Sequence, residues 1–216
     1  MKRGGRLFTV CSMLVNAKTV ADVGCDHAYV AKYCAESGAF EHIIASDISE
    51  SCLKKAIALL RGYDNVSFVC CDGIAYDCDE AVISGMGGML VCDILREATC
   101  KPQTVIVCPH RDAATVRKTL LELGYGIDRD VAVEENGKYY GVIRATLDGG
   151  ARNLSELQLL FGLEVAQKNE ILTAWLIKQY NTYMVAPSAN AEKLTAVRSA
   201  LALQGVATDK INHDEK

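Results

Sequence analysis

An α/β fold is predicted: a largely parallel sheet, an antiparallel strand pair at one edge, and a C-terminal antiparallel helical hairpin. Three observations carry this. Short apolar runs that end in glycine or aspartate alternate with segments of helical periodicity as far as Gly124. Two longer runs then flank Glu135-Asn136-Gly137, and Asn-Gly is the strongest short-range hairpin signal. Beyond Asp148-Gly149-Gly150 no strand pattern recurs. Alternating strands and helices favour parallel pairing, and the terminal hairpin adds antiparallel strands.

The elements follow in order. Residues 6–16 are apolar at helical spacing and predict a first helix. Strand 19–23 comes next, then a helix from Ala28 to about Ser37, closed by Gly38. Strand 42–46 ends at Asp47, and Ser49 can cap a helix that runs to Arg61 and stops at Gly62. Strand 66–70 leads to Asp72-Gly73. Strand 80–84 opens into Ser84-Gly85-Met86-Gly87-Gly88 and a helix to about Ala98. Strand 104–108 leads to Pro109-His110, and a helix from Asp112 stops at Gly124. Strands 126–134 and 138–147 make the hairpin. Residues 153–184 read as one long helix with Leu157, Leu160, Phe161, Val165, Leu172 and Trp175 on its apolar side. Pro187 breaks it, and 189–204 form a second helix. The division expected is a ligand-binding domain over 1–150 and a helical, coiled-coil-like domain over 151–216.

Composition narrows the classes. Half of the 216 residues are hydrophobic, enough for a real core. A net charge of −4 excludes a uniformly basic surface, although Lys2, Arg3, Arg6 and Lys18 make the N-terminal arm basic. From 151 to 216 there are seven basic and seven acidic residues, so the hairpin is no obvious cationic clamp. The ten cysteines show no C-x-x-C and sit mostly in apolar runs, which reads as small buried hydrophobes in a reducing compartment. The apolar N-terminal stretch has no A-x-A site, and the first strand begins by Thr19, so it is read as part of the fold. No apolar run approaches transmembrane length, and no His/Cys/Asp spacing suits a metal. A soluble, cytoplasmic protein without metal or membrane is expected.

Chemistry concentrates at the carboxyl ends of the strands, where open α/β sheets bind ligands. Those ends read Gly24-Cys25-Asp26-His27, Asp47-Ile48, Asp72-Gly73, Ser84 through Gly88, and Pro109-His110. A dinucleotide fingerprint needs three spaced glycines, but only Gly24 is present; Asp26 and Ala28 fill the other slots. An acid there repels a pyrophosphate and suits a cofactor carrying ammonium and sulfonium, S-adenosyl-L-methionine. Asp47 lies 23 residues past Gly24, near the offset of about 20 at which an acid grips ribose hydroxyls. Asp72 suits an adenine amine, with Ile48 on the ring face. Three glycines within Ser84-Gly85-Met86-Gly87-Gly88 permit close backbone approach to a ligand. The acid-or-Asn, Pro-Pro-aromatic string of exocyclic-amine methylation is missing, and Cys108-Pro109 reverses the Pro-Cys order of cytosine C5 chemistry.

Taken together, Ala-Asp-Val-Gly-Cys-Asp-His-Ala-Tyr-Val at 21–30, Asp47-Ile48, Cys71-Asp72-Gly73, Ser84 through Gly88 and Glu-Glu-Asn-Gly-Lys-Tyr-Tyr at 134–140 resemble the bacterial tRNA N1-adenine methyltransferases that act on adenine 22. The resemblance covers roughly 5–147, and D-x-G-x-D-H-A-Y joined to G-M-G-G is specific. It implies a Rossmann-like class I methyltransferase sheet that binds S-adenosyl-L-methionine, a helical domain that helps hold tRNA, and methylation of adenine N1. On this reading Gly24, Asp26, Asp47, Ile48, Asp72, Gly73, Ser84, Gly85, Met86 and Gly87 hold the cofactor. Asp26 and His27 serve catalysis, and Arg6, Tyr29, Pro109 and His110 meet the substrate. The chain departs from the family at Cys108-Pro109-His110, where Gln-Pro-Asn is common. A monomer with tRNA as its partner is taken as the working state. Three other readings stay open: a small-molecule methyltransferase, a cofactor- or RNA-binding protein without turnover, and a nicotinamide enzyme, which the missing glycines disfavour.

Overall fold

The computed structural model describes residues 4–15 and 17–211. Lys2 and Arg3 of the basic arm, and the last residues of the polar tail, lie outside the described residues.

The order is α1 (Arg6–Ser12), β1 (Thr19–Val23), α2 (Tyr29–Ser37), β2 (His42–Asp47), α3 (Glu50–Leu59), β3 (Val66–Cys70), β4 (Glu80–Ser84), α4 (Gly88–Glu97), β5 (Thr104–Cys108), α5 (Ala113–Glu122), β6 (Gly126–Glu135) and β7 (Lys138–Thr146). Three helices follow: α6 (Glu156–Phe161), α7 (Glu170–Met184) and α8 (Ala191–Leu203). The seven strands form one sheet in the order β3-β2-β1-β4-β5-β7-β6. β1 to β5 are parallel, and β7 runs antiparallel to both β5 and β6. Asn136 and Gly137, at φ +54° and +73°, make the tight turn between β6 and β7.

Alternation along the strands explains the two layers. Val20, Ile43, Ala45, Val82 and Ile106 face α1, α2 and α3. Ala21, Val23, Ile44, Ile83, Val105 and Val107 face α4 and α5. Both faces are therefore covered, and the central strands read as continuous apolar runs. Each buried valine or isoleucine among them contributes about 1.5–3 kcal/mol. Six of the ten cysteines, including Cys25 and Cys108, are buried, and all ten are free thiols. Burial pushes the Cys108 thiol up to about 12, so it is no nucleophile.

Two predicted helices change. The first ends at Ser12 rather than running on to 16. The long helix over 153–184 is broken into α6, a short 3₁₀ turn at Leu163–Ala166, and α7. Ser155 and Gln158 form a capping box that starts α6. Gly162 ends it at φ +101°, where an added Cβ would press to 3.1 Å against the Asp130 carboxyl. Asn169 then caps α7 by accepting from the Leu172 amide at 3.0 Å. Leu172, Leu176 and Tyr180 of α7 pack on Leu194, Val197 and Leu201 of α8, with Ala132 of β6 in the same cluster. Buried Gln204 donates to Val165 O and Gln167 O and accepts from the Asn169 amide, which ties the end of α8 to the turn before α7.

Candidate active site

The chain leaves β1 toward β2 and β3, then returns to β4 on the other side of β1. This reversal opens a crevice at the carboxyl ends of β1 and β4. Gly24 takes the first step of the turn at φ +67°, and a Cβ there would fall 1.8 Å from Met86 Cε. Asp26 and Ala28 also have positive φ, +38° and +50°. For residues with a Cβ this costs roughly 1–2 kcal/mol each. Backbone bonds hold the strained turn: the Cys25 amide donates to Ser46 O at 2.9 Å, and the Asp26 amide donates to Asp47 Oδ2 at 3.1 Å.

Ala28 supplies no side-chain cap for α2. Asp22 does so from inside β1: its Oδ2 accepts from the Ala31 amide at 3.0 Å. Burial pushes the Asp22 carboxyl up to about 7; the Ala31 bond offsets part of that, and the charge of Asp47 adds to it.

Asp47 bridges two turns. Its Oδ2 takes the Asp26 amide and its Oδ1 takes the Ser49 amide at 2.9 Å. Ser49 Oγ caps α3 by accepting from the Cys52 amide. Each Asp47 oxygen keeps a further lone pair for a ligand. Asp26 is exposed, with Lys55 Nζ at 3.1 Å from Oδ1 and His27 Nε2 at 3.3 Å from Oδ2. The Lys55 hydrogen bond, with help from Cys52 and His27, holds the Asp26 carboxyl below its ordinary range. His27 stacks on Tyr29 with ring centroids 5.6 Å apart. Tyr29 is 53 % exposed, which places it at the surface of the cleft rather than in the core.

The opposite rim is built from residues far apart in sequence. Arg6 Nη1 donates to His110 Nε2 at 2.7 Å, and the Arg6 guanidinium lies 5.0 Å from the Tyr140 ring centroid. The Arg6 amide donates to Glu135 Oε1 at 3.0 Å. Arg6 has only donors, so His110 accepts at Nε2 and carries its proton on Nδ1. Desolvation, Arg6 and Lys138 together lower the His110 pKa, and the ring is a neutral base at pH 7. The His110 amide is fixed by Met86 O at 2.8 Å.

These walls enclose a cleft of about 420 Å³. It brings together Arg6, Gly24, Asp26, His27, Tyr29, Asp47, Ile48, Asp72, Gly73, Ser84, Gly85, Met86 and His110. Two predicted residues stand apart from its lining. Gly87 is the N-cap of α4, where an added Cβ would meet the Arg111 side chain. Pro109 is buried and does not line this cleft. The residue that pattern reading missed is Asp22, a buried carboxylate in the cleft wall. Its signal is an acid inside the apolar strand Thr-Val-Ala-Asp-Val. Among the described residues no cluster of three or more His, Cys, Asp or Glu is placed to hold a metal, and no helix is long and apolar enough to cross a membrane.

The sheet order and the acidic, glycine-turned crevice define a Rossmann-like methyltransferase architecture. The chain belongs to the Methyltransferase domain family, whose match runs over residues 4–143. Among curated relatives, the Bacillus subtilis tRNA (adenine(22)-N(1))-methyltransferase is 29% identical over 155 residues, spanning 67% of this chain and 65% of that protein. Among solved structures, Streptococcus pneumoniae Sp1610 in complex with S-adenosyl-L-methionine superposes with a TM-score of 0.83 at 23% identity, covering 91% of this chain and 98% of that one. M. capricolum TrmK in complex with the cofactor product S-adenosyl-homocysteine superposes with a TM-score of 0.82 at 20% identity, covering 92% and 97%. At these identities the structural likeness is one of fold.

Proposed function

We propose that this protein transfers a methyl group from S-adenosyl-L-methionine to N1 of adenine 22 in tRNA. The observation that carries the proposal is the gathering of four carboxylates, Asp22, Asp26, Asp47 and Asp72, around one cleft at the switch point. That donor set matches a cofactor with two positive centres and opposes a pyrophosphate. The cleft volume falls within the range of about 300–1,000 Å³ usual for small-ligand sites. The Bacillus subtilis relative carries the substrate in its name. The motifs Asp22 through Tyr29 and Ser84 through Gly88 support the same reading.

The cofactor supplies an electrophilic methyl, and attack by the N1 lone pair breaks the S–C bond, leaves its electrons on sulfur and makes the base cationic. No general base is needed, because N1 is unprotonated at neutral pH. The residues therefore position and stabilise. Gly24 leaves room at the turn. Asp47 is assigned to the ribose hydroxyls, Asp72 to the adenine amine of the cofactor, and Ile48, 69 % exposed, to its ring face. Asp22 is assigned to the ammonium end. Gly73, Ser84, Gly85 and Met86 complete the wall.

Asp26, kept ionised by Lys55, faces the charge that develops on the target base. His110 orients the base from the other rim. Because burial, with Arg6 and Lys138, lowers its pKa, it adds no cation beside the new one. His27 and Tyr29 offer a stacked aromatic face for the extruded ring. The division into a cofactor domain over 1–150 and a helical domain over 151–216 that helps hold tRNA belongs to the same proposal.

A transfer assay with methyl-labelled S-adenosyl-L-methionine tests it. Label is expected in a tRNA transcript with adenine at position 22 and not in its guanine-22 counterpart. Equal labelling of both transcripts, or of neither, overturns the assignment.

A further inference from the structure

A second cleft, about 450 Å³, opens between β7 and α7. Its walls are Lys138, Tyr139 and Tyr140 from β7, Trp175, Lys178, Gln179, Thr182 and Tyr183 from α7, and His110. The α7 residues fall at positions i, i+3, i+4, i+7 and i+8, one continuous face of the helix. The adjoining face, Leu172, Leu176 and Tyr180, is the one buried in the helical cluster. Helix α7 thus buries one stripe and turns the next to this groove, with Trp175 and Tyr183 at the border, each also packed against the edge of the cluster.

The groove's chemistry is aromatic and cationic. The Tyr139 and Trp175 rings are parallel within 7°, with centroids 6.2 Å apart. Lys178 Nζ lies 5.6 Å from the Tyr139 centroid and donates to Gly137 O at 2.8 Å, which docks the hairpin tip onto α7. Lys193 Nζ lies 5.5 Å from the Tyr183 centroid. None of the nine lining residues is a carboxylate. His110 lines both clefts, so the second is continuous with the rim of the first.

We infer that this groove holds the nucleotide adjacent to the target adenine: its base lies against the Tyr139–Trp175 pair and its phosphate is met by Lys138 and Lys178. The inference rests on the RNA-methylating reading above and adds the place where the strand is gripped. Aromatic faces paired with lysines suit an unstacked base and its phosphate, because every base has a π-face and every link carries a negative charge. An adenine turned into the first cleft passes His110, and its neighbour in the strand is then carried over the second. A small cationic ligand is disfavoured by the lysines, and a purely apolar partner by Lys138, Lys178, Gln179 and Thr182.

The test uses the full chain and a tRNA transcript with adenine at position 22. Trp175→Leu is expected to raise the Kd for the transcript about tenfold while the Kd for S-adenosyl-L-methionine, measured by calorimetry, stays unchanged. Trp175→Phe is expected to restore most of the affinity. The pair Lys138→Gln and Lys178→Gln lies on the surface and is expected to lower the slope of log Kd against log salt by about 1–2. Ultraviolet crosslinking is expected to attach the transcript to a peptide containing Tyr139 or Trp175. If the wild-type chain methylates the transcript and these variants bind it as the wild type does, the groove assignment falls and the function stands. If the variants lose affinity but the wild type transfers no methyl, the function falls and the groove stands. A groove occupied by a second copy would appear as variants that change the oligomeric state and leave RNA affinity intact, which also overturns the inference.

Discussion

The two clefts meet at His110, are of similar volume, and are opposite in charge and in construction. The first is lined by four carboxylates and a single strong cation, Arg6; the second has two lysines, four large aromatic rings and no carboxylate. The first is built by strand ends and turns, with backbone held at positive φ. The second is built by side chains projecting from one regular strand and one regular helix. A small cationic ligand needs backbone close by and fixed negative charge. A polyanion needs reach, flat rings and lysines. A protein with a net charge of −4 can serve both because the charges are sorted between adjoining surfaces rather than averaged.

Beside the second groove, a buried ion pair joins the edge strand β6 to α5 and α6. Arg117 and Asp130 form a two-pronged bridge, with Nε to Oδ2 at 2.6 Å and Nη2 to Oδ1 at 3.1 Å, and the Arg117 side chain is 1 % exposed. Arg117 Nη1 also donates to Leu159 O and Leu160 O, so α5, β6 and α6 share one guanidinium. Arg117→Met strands the Asp130 carboxylate and is expected to cost about 3–5 kcal/mol in urea unfolding. Adding Asp130→Leu is expected to recover most of that loss. A loss below about 1 kcal/mol would mean that the joint is held elsewhere.

The next largest effect separates chemistry from binding. Asp26→Ala is expected to lower kcat for methyl transfer to tRNA by about 10²–10³, the usual scale for one oriented electrostatic group. Binding of tRNA in the second groove should not change. Wild-type turnover in this variant would remove Asp26 from the mechanism.

The elements that form the first cleft were legible because each is local. Five apolar runs of five or six residues, each followed by a glycine, aspartate or proline turn, mark β1 to β5, and the strand ends carry the acids. The second groove and the joint were not legible for the opposite reason. Lys178 and Gly137, which dock the hairpin on α7, lie 41 residues apart, and no local pattern joins them. The break falls at Gly162, which lies against Asp130 of a distant strand, while the apolar period of 153–184 runs on through it. Equal numbers of basic and acidic residues after 150 hid a helix face that carries Trp175, Lys178 and Tyr183 and no acid. A count of charges has no direction, and a helix face does.

Within the first cleft the carboxylates can be told apart by what they already bind. Asp47 accepts from two backbone amides, so its removal loosens the turn as well as the ribose contact. Asp47→Ala is expected to weaken S-adenosyl-L-methionine on the order of thirtyfold, from the loss of hydrogen bonds to a charged group, with tRNA affinity unchanged. A loss of tRNA affinity equal to the loss of cofactor affinity would dissolve the division of labour between the two surfaces.

Asp22 gives the smallest and most specific test. Its carboxyl is raised to about 7 by burial, so between its ordinary range and pH 7 the folded state holds a proton that the unfolded chain has lost. The stability it contributes is therefore present at low pH and is lost as pH rises through about 7. A cationic ligand reverses this by favouring the carboxylate, so its binding expels the proton. The affinity for S-adenosyl-L-methionine is expected to rise between pH 5.5 and 7 by at most about tenfold per unit, below the range of about 7.7–8.0 where an α-amine loses its own charge. Asp22→Asn retains an oxygen for the Ala31 amide and cannot titrate, so its affinity should be lower and flat over the same window. Calorimetry in two buffers of different ionisation enthalpy would read the expelled proton directly. A pH-independent wild type would show that Asp22 serves only α2 and does not meet the ammonium end of the cofactor.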